Sequence, residues 1–384
     1  MAPQSLGVEE PWRPEVFRGR IKEPGERGRR MSEEQFDEAR FEQLQGKVMA
    51  DVGGAIGLLM AHIGDQTGVY QALEEVGPCS HETLADKANV DPRYLREWLS
   101  SNAAAGYVDY DPDTDEFRLS PEQAALFAHE GSITCMQGFF QAVVSQYATY
   151  DTAIDVFKTG RGRPWAEQSA CCFCATDRFF RPGYVANLVE SWIPALDGVD
   201  AKLKAGGNVA DIACGLGSST ILLAQSYPNS TVYGFDFHAP SIETARQKAA
   251  EAGVTNVHFE VVSAQDFPAN DYDFACIFDA LHDMGDPLRA ARHIKEVLKP
   301  DGTFMLVEPQ AADELKDNLN LLAGIFYGFS TTICLPTSRA QEVGLCLGAQ
   351  AGEKRLTQIL NEAGFGHVRR ATETPTNMVL EASA

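Results

Sequence analysis

The feature that most constrains the fold is a series of five short apolar segments after Lys204 that alternate with helical stretches. The segments read NVADIAC, STVYGFDF, VHFEVVS, FACIFDA and TFMLVEP. Apolar strands that alternate with helices are typical of β-α units, in which helices cover both faces of a parallel sheet. The sequence therefore predicts an α/β fold with a doubly wound parallel sheet in the C-terminal half.

The first of these strands leads into a turn that contains glycine. In a doubly wound sheet, ligands bind at the carboxyl ends of the strands. Gly215 and Gly217 follow the strand, let the backbone approach a ligand closely, and precede a helix whose first N–H groups are free. Asp236 ends the next strand, 25 residues after Asp211 (236 − 211), where an acid can hold the two ribose hydroxyls of a nucleoside. This edge of the sheet is the predicted cofactor site.

Three further segments accompany the sheet. Residues 1–40 are rich in Pro, Glu and Arg and lack apolar periodicity, which predicts a disordered tail. Residues 41–130 predict helices that begin at Ser80 and at Asp91-Pro92, followed by a hairpin in which GYVDY and EFRLS flank the turn DPDTD. This order is that of a winged helix-turn-helix domain. Residues 131–195 predict a helical linker that covers the active site, and residues 196–384 the sheet domain.

The turn after the first strand reads D-x-A-x-G-x-G and not the G-x-G-x-x-G of a phosphate-binding loop. It resembles motif I of the class I S-adenosylmethionine-dependent methyltransferases, D/E-x-G-x-G-x-G, with alanine at the first glycine. The resemblance implies a Rossmann-like methyltransferase sheet and S-adenosyl-L-methionine as cofactor. The cofactor-binding residues that it implies are Asp211, Ala213, Gly215 and Gly217 at the methionine end, Asp236 and Phe237 at the ribose, Ser263, Ala264 and Asp266 near the adenine, and Asp279 at the end of the fourth strand. Which of the three residues near the adenine contacts it is left open.

The fourth strand ends in FDALHDMGDP, which resembles the LHDW-x-D stretch of plant-type O-methyltransferases. That family also carries an N-terminal winged-helix dimerisation domain, and from Phe41 onward the chain is similar to bacterial winged-helix methyltransferases. The resemblance implies O-methylation of a small molecule in a homodimer, with His282 as general base beside Asp283 and with Glu308 orienting the imidazole. The alternative is methylation of a thiol, thioether or amine, which needs no strong base.

Aromatic side chains before and after the sheet are candidates for the acceptor pocket. The predicted substrate residues are Tyr147, Tyr150, Phe180, Tyr184, Asn320 and Tyr327. Cys171, Cys172 and Cys174 have the spacing C-C-x-C, which differs from the C-x-x-C pairs of structural zinc sites. We therefore expect no metal site and interpret these thiols as packing residues, with binding of a soft metalloid acceptor as the alternative.

The charge of the chain bears on its partners and location. The formal net charge is −22, which disfavours contact with nucleic acid or an anionic membrane. Because we find neither a signal peptide nor an apolar run of membrane-spanning length, we expect a cytoplasmic protein. The winged helix raises one alternative of another class, a DNA-binding regulator that responds to S-adenosylmethionine. Its would-be recognition helix, DPRYLREWLSSNAAAG, offers only Arg93 and Arg96 as basic residues, so nucleic acid is not an expected partner.

Overall fold

The computed structural model describes residues 36–383, which form two compact units divided between Gln123 and Ala124. Residues 1–35, the greater part of the predicted disordered tail, lie outside the described residues. The first helix begins at Glu38, three residues ahead of its predicted start at Phe41 (41 − 38).

The first unit is a helical domain with a small hairpin. Ser80 accepts a hydrogen bond from the backbone N–H of Thr83, and Asp91 caps the helix that starts at Pro92. The antiparallel hairpin pairs Asp109 with Arg118 across the predicted turn. The predicted winged helix-turn-helix is therefore confirmed. Its elements are α1 (Glu38–Thr67), α2 (Val69–Val76), α3 (His81–Ala88), α4 (Pro92–Ala104), β1 (Asp109–Asp111) and β2 (Glu116–Arg118), and α5 (Pro121–Phe127) runs across the division between the units.

The second unit begins with a helical segment that leads into the sheet, as the sequence predicts for residues 131–195. Two irregular turns matter for the site: a 3-10 turn at Leu281–Asp283 and a π-helical turn at Ser330–Cys334. The helices of this unit are α6 (Gln137–Tyr147), α7 (Tyr150–Thr159), α8 (Ala170–Asn187), α9 (Val199–Ala205), α10 (Ser218–Ser226), α11 (Ala239–Glu251), α12 (Pro287–Val297), α13 (Leu321–Phe329), α14 (Leu335–Arg339) and α15 (Glu353–Glu362).

A seven-stranded sheet organises the second unit, in the order β5-β4-β3-β6-β7-β9-β8. The strands are β3 (Asn208–Ile212), β4 (Thr231–Asp236), β5 (Val257–Val261), β6 (Tyr272–Phe278), β7 (Leu298–Pro309), β8 (His367–Glu373) and β9 (Asn377–Ser383). The five predicted strands are β3 to β7, and they are parallel. β9 pairs antiparallel with both β7 and β8, so the sheet is mixed, and these two edge strands were not among the five that the sequence predicts.

The order of the strands positions the site. From β3 the chain builds outward to β4 and β5, and then returns to place β6 on the other side of β3. The crevice at the carboxyl ends of β3 and β6 is therefore the topological switch point, where doubly wound folds bind their ligands. Every residue of β6 is buried, so this strand belongs to the core of the sheet next to the crevice.

Two helical stretches have the length and apolar composition to cross a bilayer, Glu38–Thr67 and Leu321–Arg339. This departs from the expectation that the chain has no apolar run of that length. Length and composition are weak evidence here, because helices that pack within a protein or between subunits have the same properties.

Candidate active site

The loop after β3 has the backbone shape that a close ligand requires. Ala213, Gly215 and Gly217 all have φ between +53° and +81°, the left-handed region. Gly217 caps α10, and a Cβ there would lie 2.7 Å from the Cβ of Ala245. Ala213 takes this conformation at the position where motif I usually has glycine, and it does so at a cost of about 1–2 kcal/mol.

Asp211 stabilises the helix that follows this loop. Its carboxylate is fully buried and accepts hydrogen bonds from Ser219 Oγ at 2.7 Å and Thr220 Oγ1 at 2.6 Å, both in the first turn of α10. Burial raises the pKa of Asp211 to about 6. Asp211 therefore fixes the start of α10 and does not face the cavity described below.

Asp236, at the end of β4, ties the loop to the next strand. One carboxylate oxygen accepts from the backbone N–H of Gly215 at 2.9 Å, and the other accepts from that of His238 at 2.8 Å. The residue is only 8% exposed, and this burial raises its pKa. The carboxylate is thus held rigidly beside the glycine loop, at the position predicted for the ribose.

A cavity of about 600 Å³ opens at this edge of the sheet, within the range typical of small-molecule sites. It brings together most of the predicted cofactor residues and part of the predicted catalytic and substrate residues. Those that line it are Ala213, Gly215, Asp236, Phe237, Ser263, Ala264, Asp266, Asp279, Asp283, Phe180 and Tyr184.

Other predicted residues lie elsewhere. His282 and Glu308 are buried directly behind the cavity wall. Tyr147 and Tyr150 are exposed, and Asn320 caps α13 by accepting a hydrogen bond from the N–H of Ala323. The predicted residues that do not line the cavity are Asp211, Gly217, His282, Glu308, Tyr147, Tyr150, Asn320 and Tyr327. The role predicted for the four last-named residues in the acceptor pocket therefore stays a prediction, because an aromatic or polar residue type alone does not indicate which way a helix faces.

Several lining residues were missed by the sequence reasoning. Trp165, Phe173 and Asp177 come from the segment around the start of α8, and Thr337 comes from α14. Asp177 bonds to Ser218 Oγ and to Lys248 Nζ, which joins α8 to α10 and α11. The available signal was the spacing of Phe173, Asp177 and Phe180 along one face of a helix.

His282 and Glu308 form a buried pair. His282 Nδ1 lies 2.5 Å from Glu308 Oε2, and the imidazole side chain is only 5% exposed. Burial lowers the pKa of His282, but the charges of Glu308 and Asp283 outweigh it and raise this pKa well above its ordinary value. Glu308 therefore fixes the orientation of the ring and leaves Nε2 directed towards Asp283, whose Oδ1 is 3.3 Å away.

Two carboxylate oxygens beside this pair have no hydrogen-bond partner among residues 36–383. They are Asp279 Oδ2 and Asp283 Oδ1. The other oxygen of Asp279 accepts from Asn377 Nδ2 at 2.7 Å, and burial raises the pKa values of both aspartates. Asp283 Oδ1 still faces His282 Nε2 at 3.3 Å, so the unpartnered oxygen of Asp279 is the one that indicates a place for a cation or a hydrogen-bond donor.

The thiol of Cys334 lies in the same cluster. Atoms of His282, Asp283 and Cys334 that could bind a metal ion all lie within 4.8 Å of one another. The expectation of a metal-free site therefore stays a prediction. Cys171, Cys172 and Cys174 lie in the first two turns of α8, where Cys172 is buried and Cys174 is exposed.

Comparisons with known proteins find matches for two parts of the chain. Residues 203–364 match the family model described as "Methyltransferase domain", and residues 54–129 match the one described as "Rv2258c-like winged HTH domain". The demethylmenaquinone methyltransferase of Listeria monocytogenes serotype 4a is 27% identical over 177 residues, which cover 44% of this chain and 73% of that protein. The chain thus combines a methyltransferase domain with a winged helix-turn-helix domain, and it is an S-adenosylmethionine-dependent methyltransferase.

Solved structures show the same fold for this methyltransferase. The mitomycin 7-O-methyltransferase MmcR is 18% identical, with a TM-score of 0.69 over 91% of this chain and 100% of its own. Human N-acetylserotonin methyltransferase, solved in complex with SAM, is 15% identical, with a TM-score of 0.68 over 92% of this chain and 99% of its own. At these identities the likeness concerns the fold.

The site of the methyltransferase fits its cofactor, S-adenosyl-L-methionine. The cofactor carries an ammonium and a sulfonium cation, and the unpartnered oxygen of Asp279 can accept from or pair with a cation. The left-handed glycine loop remains the predicted place for its methionine end, and Asp236 remains the residue predicted to bind the ribose hydroxyls. Ser263, Ala264 and Asp266 remain the residues predicted to lie near the adenine.

The regulator alternative gains no support from the winged-helix domain. Arg93 pairs with Glu97, and Arg96 pairs with Asp115 at 2.8 Å. Both basic side chains of α4 are therefore already neutralised, whereas a helix that reads DNA needs free basic groups for phosphates and base edges.

Proposed function

We propose that this methyltransferase transfers the methyl group to a hydroxyl oxygen of a small molecule, with His282 as the general base. The observation that carries the proposal is the buried pair of His282 and Glu308, with its 2.5 Å contact, directly behind the cavity wall. A histidine whose Nδ1 is fixed by a carboxylate can accept a proton at Nε2.

Asp283 connects this pair to the cavity. It lines the cavity, and its Oδ1 lies 3.3 Å from His282 Nε2. An acceptor hydroxyl that bonds to Asp283 is therefore held beside the base. In this account Asp283 orients the hydroxyl, His282 takes its proton, and Glu308 stabilises the imidazolium that results.

When bound, S-adenosylmethionine supplies an electrophilic methyl group on its sulfonium. The residues of the chain hold the two reactants together and exclude water, which is the larger part of catalysis in such transfers. Phe180 and Tyr184 line the cavity, and aromatic faces of this kind stabilise a sulfonium cation. Asp236 anchors the ribose.

The test compares His282→Ala with His258→Ala, a control at an exposed histidine on β5. Release of S-adenosylhomocysteine is measured with panels of phenols, thiols and amines. We expect His282→Ala to bind the cofactor normally and to methylate phenols roughly 10²-fold more slowly or worse, while the control is unchanged. A wild-type rate on phenols in His282→Ala, or a wild-type enzyme that methylates only thiols or amines, would contradict the proposal.

We also infer a cytoplasmic homodimer formed through the N-terminal unit. The support is the apolar stripe on α1, where Leu44, Val48, Val52 and Ile56 recur at helical spacing and are all exposed. Light scattering of the purified protein tests this inference: a dimer that Val52→Asp converts to monomer is expected, and a monomeric wild type would contradict it.

The protein domains are proposed as residues 41–130, 131–195 and 196–384.

A further inference from the structure

A buried arginine lies in a loop that borders the cavity through Trp165. Arg163 lies in the loop between α7 and α8 and is only 4% exposed. Its guanidinium donates to Thr149 Oγ1 at 3.2 Å and to the backbone carbonyl of Glu167 at 2.8 Å, and its Nε has no partner among the described residues. No ion pair of Arg163 is found within residues 36–383. A buried guanidinium is costly unless an anion faces it.

A second polar group in the same loop is also unsatisfied. Gln168 is 5% exposed, and neither its amide oxygen nor its amide nitrogen has a partner in the part of the chain that the structure describes. It directly precedes Ser169, the N-cap of α8, which is 18 residues long. The guanidinium of Arg163 donates a hydrogen bond to the backbone carbonyl of Glu167, the residue before Gln168. A buried cation, a free amide and the N-terminus of a long helix therefore occupy one short stretch of chain.

The contacts of this loop place it next to the reaction site. The backbone N–H of Arg163 donates to the carbonyl of Pro336 at 2.9 Å. The next residue, Thr337, lines the main cavity with a buried hydroxyl that has no partner among residues 36–383, and Trp165 lines the cavity from the loop itself. Pro336 lies two positions after Cys334, which clusters with His282 and Asp283.

We propose that Arg163, Gln168 and the first turn of α8 bind a carboxylate carried by the methyl acceptor. The proposal rests on the proposed function, since it assigns a chemical class to the acceptor of the same site. The guanidinium fork matches the two oxygens of a carboxylate, the amide of Gln168 adds a donor, and the N-terminus of α8 favours negative charge. One carboxylate also balances the single charge of Arg163. The acceptor is thus a hydroxy acid whose hydroxyl reaches Asp283.

Binding is tested on the complex of the full chain with S-adenosylhomocysteine. Benzoate and inorganic phosphate are titrated calorimetrically into the wild type, Arg163→Met and Arg161→Met. Arg161 is a matched control, because it is exposed in the same loop and pairs with Asp155. We expect benzoate to bind the wild type and Arg161→Met alike, and to bind Arg163→Met at least tenfold more weakly. Failure of benzoate to bind the wild type, or equal binding to Arg163→Met, overturns the proposal.

Two further measurements distinguish a carboxylate of the acceptor from a free inorganic anion and control for misfolded variants. If phosphate binds in a way that depends on Arg163 and benzoate does not bind, the site holds a free inorganic anion. That result would overturn the acceptor assignment. Gln168→Glu places a carboxylate next in sequence to Glu167, whose carbonyl accepts from Arg163. If the proposal holds, this variant should lose benzoate binding and melt at a higher temperature than Gln168→Met; a lower melting temperature contradicts the account. Because these measurements involve no methyl transfer, failure of the O-methylation chemistry would leave their outcome unchanged.

Discussion

Replacing Glu308 with glutamine tests the proposed base directly. The two side chains of the His282–Glu308 pair are 5% and 2% exposed, and Nδ1 and Oε2 are 2.5 Å apart. Glutamine keeps the size of the side chain and its accepting oxygen but removes the charge. The substitution therefore isolates the electrostatic contribution of Glu308 to the protonated imidazole.

The expected magnitude follows from the kind of hydrogen bond that is lost. A hydrogen bond to a charged group contributes about 1.5–3 kcal/mol, and a neutral one about 0.5–1.5 kcal/mol. The difference, about 1–2 kcal/mol, corresponds to roughly a 5- to 30-fold change. Because the imidazolium forms as the acceptor loses its proton, methyl transfer should slow by this factor at a pH above the pKa of His282, where the imidazole is neutral in both proteins. The pKa of His282 should fall, since burial then opposes the charged form with less compensation.

The pKa of His282 can be followed by NMR of histidine-labelled protein, with His282→Ala to assign its signal. We expect the wild-type pKa to lie well above the ordinary value for histidine and to fall in Glu308→Gln. The rate of methyl transfer should correspondingly rise with pH, and this rise should occur at lower pH in the variant. An identical pKa of His282 in both proteins would refute the reasoning.

Two further predictions concern the cofactor loop. Ala213→Gly should raise the free energy of unfolding by about 1 kcal/mol, because Ala213 has φ +59° and glycine adopts that conformation without strain; a loss of stability in urea unfolding would contradict this. Asp211 has its pKa raised by burial from 3.8 to about 6, so its ionisation in the folded state costs about 3 kcal/mol (2.2 × 1.36), and this stability is lost as pH rises from about 4 to 6. Asp211→Asn should abolish that part of the pH dependence, and an unchanged difference in stability between pH 4 and pH 7 would contradict the assignment to Asp211.

The sequence predicted those parts of the molecule that depend on local pattern. The strands β3 to β7 follow from apolar runs, and the caps at Ser80 and Asp91 follow from residue types that accept from free N–H groups. The positions of Gly215 and Asp236 follow because parallel strands end at one edge of the sheet. These features can be predicted without knowing which distant segments of the chain come into contact.

Features that depend on distant contacts could not be predicted in this way. β8 and β9 form an antiparallel edge that periodicity alone did not separate from the other C-terminal residues. Arg163 follows a glycine–arginine stretch that reads as exposed loop, yet it is buried because the loop packs against Pro336. Tyr147 and Tyr150 have the residue type of a pocket lining, but their helices direct them to the surface.

The central claim is that the glycine loop and Asp236 hold S-adenosylmethionine, and calorimetric titration tests it most directly. The wild type should bind one equivalent of S-adenosylmethionine or S-adenosylhomocysteine with micromolar affinity. Asp236→Ala removes a carboxylate that accepts from Gly215 and His238 and is placed for the ribose, so the variant should bind both at least roughly 100-fold more weakly. Wild-type affinity in Asp236→Ala, at an unchanged melting temperature, would contradict the account.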